Sequence, residues 1–141
     1  MFEITATATD RDTAVHTVRL EATNHDGSFL GKNVAPKKFA ASAGSGFAFA
    51  DLLFGLDLGN DPTFGFAYPD WRGHLADVQF RPDMSTLVQW EPGLQSVIGD
   101  YWQTDGTPVG TCPRNLARKL VDLDHKFQLW RFSHMKTVER I

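Results

Sequence analysis

Three things are scarce in this chain of 141 residues. It has one cysteine, Cys112, which rules out a disulfide within the chain and fits a reducing, cytoplasmic setting. It has no excess of positive charge, with a formal net charge of -3 at pH 7, so no basic field gathers nucleic-acid phosphates or anionic lipid. It also has no apolar run of the length that crosses a bilayer, and its first residues lack the basic start and apolar stretch of a signal peptide. A soluble protein without nucleic-acid or membrane partners is expected.

Motifs of intrinsic chemistry are missing as well. There is no Gly-x-Gly-x-x-Gly after a strand and no Walker-type loop, and Gly44-Ser45-Gly46 precedes no convincing helix. The five histidines, His16, His25, His74, His125 and His134, show no metal-ligand spacing with cysteines or carboxylates. Cys112 lies next to Pro113 with no paired base in view, so it reads as a small semi-buried residue or helix cap rather than a nucleophile.

What is present is enough for one globular domain. Hydrophobic residues make up 42% and charged residues 22%, which excludes a disordered chain. Residues 15–23 alternate with a period of two, placing Val18, Leu20 and Ala22 on one face of a strand. Asp26-Gly27 then predicts a hairpin turn and a return strand over residues 29–34. Pro36 opens a short helix that Gly44 ends. Residues 46–69 are rich in glycine, phenylalanine and proline and read as a long loop with an apolar anchor at 47–54. Short strands are expected at 76–81, 87–90 and 94–103.

A helix is predicted from Thr111 or Cys112, with Pro113 in its first turn and Leu116, Leu120, Leu123 and Phe127 on one face that docks on the sheet. The boundary falls near Pro108. It divides residues 1–110, the sheet domain, from 111–141, a helix with a tail.

The most informative stretch runs from Asp77 to Arg114. It reads Asp77-Val-Gln-Phe-Arg-Pro-Asp-Met-Ser-Thr-Leu, then Trp90-Glu-Pro-Gly, Ser96-Val-Ile-Gly-Asp-Tyr-Trp, Asp105-Gly-Thr-Pro and Cys112-Pro-Arg. With Gly27, Gly31, Lys32, Pro36, Phe39 and the run from Gly46 to Asp57 upstream, this order resembles the amino-terminal domain of the glutamine synthetase family. The likeness covers roughly residues 14 to 120 and leans toward members that join glutamate to amines. It implies an α+β, β-grasp-like fold, a mixed sheet packed against a helix, here with a C-terminal helical tail.

Several further expectations come from the resemblance alone. Full-length members use ATP and magnesium or manganese to activate glutamate's γ-carboxylate, with the metals held by catalytic-domain glutamates. No stretch of this chain matches that domain, so no cofactor and no ligase activity are expected of it alone. In the family the amino-terminal domain reaches over the active site of a neighbouring subunit, and an aspartate there helps bind and deprotonate ammonium.

On that basis Asp51 and Asp57 are the candidate loop carboxylates, with a local turn or cap role as the alternative; the Asp-Gly-Ser-Ser run of ammonia-using members is absent. Trp71-Arg72-Gly73 resembles the family's Trp-Lys-Gly. It offers Trp71 for stacking and Arg72 for a phosphate, against a covering aromatic with an exposed arginine. In the hairpin from Asn24 to Lys32, the family's aspartate and arginine are replaced by Asn24 and Leu30.

The tail after His125 departs from the family. Phe127, Trp130, His134, Val138 and Ile141 share a helical face. A homo-oligomer or association with a full-length relative through this face is expected. The chain then reads either as a truncated ligase domain or as a stand-alone binding or regulatory module.

Overall fold

The fold was taken from a computed structural model that describes residues 14–63 and 76–138. Strands β1 (Thr17–Thr23) and β2 (Phe29–Val34) form an antiparallel hairpin. Its turn needs Gly27, whose φ of 87° suits a residue without a Cβ. Helix α1 (Pro36–Ser42) follows, with proline in its first turn and Phe39 buried. Strands β3 (Phe47–Ala50), β4 (Asp77–Pro82), β5 (Val88–Glu91) and β6 (Leu94–Trp102) complete a six-stranded mixed sheet, and α2 (Pro113–Val138) ends the described chain. The order is β2-β1-β6-β4-β3, with β5 also on β6.

β6 organises the sheet by changing partners along its length. Its first half pairs parallel with β1, Leu20 facing Val97, and its second half pairs antiparallel with β4, Phe80 facing Tyr101. β4 and β5 are two segments of one antiparallel neighbour, interrupted by a 3-10 turn at Met84–Thr86. Thr86 repairs the interrupted ladder there. Its Oγ1 accepts from the Ile98 N–H (2.9 Å), while the Asp83 N–H donates to the Ile98 carbonyl (2.8 Å). Gly99 is required for β4 and β6 to approach: a Cβ at this position would lie 2.3 Å from Phe80 Cζ.

The core lies on the inner face of the curled sheet. Val18, Leu20 and Ala22 of β1 meet Phe39, Phe47, Phe54, Val78, Phe80, Val97 and Tyr101. The alternation read from the sequence thus points the expected residues inward. Tyr101 sits at the centre of an aromatic cluster, with the rings of Phe49, Phe54 and Phe80 at 5.6, 5.4 and 6.0 Å. Burial pushes its phenol well above the ordinary range.

The architecture is α+β, a β-grasp-like sheet with α1 packed on it. Two local readings differ from the structure. The anchor at 47–54 is a strand and a 3-10 turn (Asp51–Gly55), because Phe47 and Phe49 alternate and β4 supplies a partner edge. The long helix does not dock along the sheet. Only its first two turns, as far as Arg118, are held, and Leu120, Leu123 and Phe127 are 67%, 63% and 53% exposed. Helical spacing of apolar residues shows that a face wants cover, not that its own sheet supplies it.

Candidate functional site

The β3–β4 connection is closed at its base by two hydrogen bonds between one pair of residues. The Asp51 N–H donates to the Ala76 carbonyl (2.9 Å), and the Ala76 N–H donates to Asp51 Oδ1 (3.2 Å). Asp51 is therefore a clamp on the loop stem, and its carboxylate is half-buried in that task. Beyond it Leu53 and Phe54 sink into the core, Phe54 lying edge-on to Tyr101 and stacked on His25. The Gly55 carbonyl then accepts from both the N–H and the hydroxyl of Thr63, each at 2.8 Å, which pins the start of the loop a second time.

Within the second of these closures stands a tight, outward-facing turn built on Asp57. Its Oδ1 accepts from the N–H groups of Gly59 (2.8 Å) and Asp61 (2.9 Å), and its own N–H donates to the Asp61 carbonyl (3.0 Å). The turn puts Asn60 at a left-handed φ of 63°, a conformation that asparagine tolerates. Asp57 is exposed, and its second oxygen has no partner among the described residues. Leu58 beside it is 84% exposed. Asp51 thus stands at the stem of the connection, and Asp57 folds a separate turn near its start. Trp71 and Arg72 lie outside the described residues.

A second polar cluster, which the sequence reading missed, fixes α2 to the sheet. Arg114 donates to both oxygens of Asp100 (3.1 Å each) and to Asp83 Oδ2 (2.6 Å). Arg118, one helical turn on, donates to Asp83 Oδ2 (2.9 Å) and to Asp100 Oδ2. The hydrogen bond from Arg114, with others from Ser85, holds the Asp83 carboxyl well below the usual carboxylate range. Asn115 Nδ2 adds a bond to the Tyr101 carbonyl (3.0 Å). The Arg114 and Arg118 spacing was a visible signal, since residues four apart share a helix face. Their acidic partners, distant in sequence, were not.

Among the described residues no three His, Cys, Asp or Glu side chains converge on a point where a metal ion would sit. The carboxylates that share partners on α2, Asp83 and Asp100, are already paired with guanidinium groups. These residues do not fit the magnesium or manganese ions that the resemblance implies for full-length members, and no chemical step is placed on them.

A mixed, curled sheet with one packed helix and a pinned loop at its edge defines the class of domain. No family model matches the chain. The glutamate–isopropylamine ligase of a Pseudomonas species is 33% identical over 111 residues, 77% of this chain and 24% of the ligase. The solved structure of a novel glutamine synthase homolog superposes with a TM-score of 0.65 at 24% identity, over 81% of this chain and 28% of that one. The chain belongs to the glutamine synthetase family, of which it carries the amino-terminal β-grasp domain. It spans about a quarter of the length of that ligase. A stretch of 26 residues, 18% of the chain, is also 73% identical to the tryptophan 2,3-dioxygenase of Erythrobacter litoralis, of which it covers 10%.

Proposed function

We propose that residues 1–110 are the amino-terminal domain of an ATP-dependent glutamate–amine ligase. The domain does not catalyse alone: it presents the loop rising from Asp51 to the active site of a neighbouring subunit. The observation that carries this reading is the double pinning of that loop. Fastenings at Asp51–Ala76 and at Gly55–Thr63 fix the Asp57 turn in one place, as an element that must complete a site on another chain requires.

Within it Asp57 is the residue offered to the amine. One oxygen shapes the turn, and the other is placed to accept a hydrogen bond from a cationic ammonium group and stabilise its charge. Trp71 and Arg72 would serve the same site by stacking and by pairing with phosphate, and Asp51 by holding the stem. ATP and the metal ions would be bound by the catalytic domain of the partner. The setting is the cytoplasm, in nitrogen metabolism, with the chain associating with itself or with full-length relatives.

The test is a mixing assay. The purified chain alone should give no glutamate-dependent phosphate release. Added to a full-length amine ligase whose own loop aspartate has been replaced, it should restore release, and its Asp57→Ala variant should restore at least tenfold less. Equal rescue by both forms would remove Asp57 from the site, and no rescue would remove the ligase reading. A stand-alone binding module is the second reading. The unpartnered face of α2 favours it, because that face offers a contact that needs no ligase site.

A further inference from the structure

The α2 helix leaves the domain as a single rod. Past its anchor at Arg114 and Arg118, every described side chain as far as Lys136 is exposed except the half-buried Gln128. Most helical stability in proteins comes from packing an apolar face rather than from propensity, and the domain covers no such face here. Exposed apolar residues occur on several sides of α2, Val121, Leu129, Phe132 and Met135 among them, but one row is regular. Leu116, Leu120, Leu123, Phe127, Trp130 and His134 recur at intervals of four and three, the seam of a coiled coil. Trp130 stacks on His134 (5.6 Å, 9° between planes) and leans on Phe127 (5.7 Å), so the seam ends in an exposed aromatic ladder.

We propose that the occupant of this seam is the α2 helix of a second copy of the chain, lying antiparallel. The charges flanking the seam select both the partner and its direction. One flank carries Asp124 and Arg131, and the other carries Lys119 and Lys126. Antiparallel helices bring like flanks together, so within the described helix Asp124 of each copy meets Arg131 of the other, twice by symmetry, Lys126 meets the neutral Ser133, and Lys119 faces position 140, outside the described residues. Parallel helices bring unlike flanks together. Lys119 would then meet Asp124, but Lys126 would meet Arg131, and the attraction would be cancelled.

In the antiparallel register Phe127 of one copy packs on Trp130 of the other at the two-fold axis, with Leu123 against His134 outside them. The two sheet domains would sit at opposite ends, roughly 40 Å apart at about 1.5 Å per helical residue, and would not collide. The proposal rests on the self-association part of the reading above and not on its ligase part, so phosphate release and dimer mass fail separately.

Sedimentation of the full chain across a concentration series tests it. The wild type should be a dimer. Phe127→Ser with Trp130→Ser should make it monomeric while amide protection of β6 is kept. Arg131→Asp decides the direction, because it sets Asp against Asp124 in the antiparallel pair but against Lys126 in the parallel one. It should weaken association on the order of tenfold. Adding Asp124→Lys to Arg131→Asp should restore association. A monomer at high concentration, a dimer indifferent to Phe127 and Trp130, or a tighter dimer with Arg131→Asp would each overturn the proposal.

Discussion

Asp100 is the side chain whose surroundings say most about how the chain is held together. It is 6% exposed, and its charge is tolerable only because Arg114 and Arg118 both reach it. Replacing Arg114 with alanine leaves Arg118, itself half exposed, as the remaining cation. The expected cost is about 1–3 kcal/mol, the penalty for stranding a buried acceptor, read as a lower urea midpoint. An unchanged midpoint would mean that the cluster contributes nothing net.

Asp83 adds a pH signature to this cluster. Its folded pKa is depressed, so its contribution is fully present above the ordinary carboxylate pKa of about 4 and is lost as pH falls through the lowered value. Stability measured from pH 6 downward should fall in the wild type below about pH 4, and fall less steeply in Asp83→Asn. Parallel curves for the two proteins would contradict the assignment. Gly99 makes a steric counterpart. Gly99→Ala drives a methyl into the Phe80 ring and the Arg81 carbonyl and should cost about 1–3 kcal/mol with the fold retained.

Among the elements, strands and turns were legible in the sequence and helix contacts were not. β1 and β2 announce themselves by alternation and by Asp26-Gly27, and Pro36 marks the start of α1, because these signals are local in backbone geometry. β3 was hidden because four residues, Phe47 to Ala50, are too few to show a period, and because its partner lies beyond a long loop. The candidate site was legible in part. The resemblance pointed to Asp51 and Asp57, but that one clamps the stem while the other folds a separate turn depends on Ala76, Gly59 and Asp61 arriving at bonding distance.

The same bonds make a prediction for the loop as an element. Asp51→Ala removes the acceptor of the Ala76 N–H, and that amide should exchange at least tenfold faster while the amides of β6 keep their protection. Unchanged exchange at Ala76 would show that the stem is closed by something other than the carboxylate.

At the scale of the whole molecule the chain joins a compact sheet domain to a helix that the domain does not cover. Most of the chain, 77%, matches a glutamate–isopropylamine ligase. A short stretch of the chain matches a tryptophan dioxygenase far more strongly than its length would suggest. The helix is nonetheless fixed by the arginine cluster, so the junction is an ordered exit and not a loose linker.

The central claim is that the sheet domain completes the active site of a neighbouring subunit. Native mass spectrometry of the chain with a full-length amine ligase of the family tests it most directly, using the Phe127→Ser, Trp130→Ser form so that helix pairing plays no part. The account predicts mixed assemblies in which this chain replaces whole subunits one for one. A ligase oligomer that never takes up the chain, with the sheet domain shown to be folded, would contradict it.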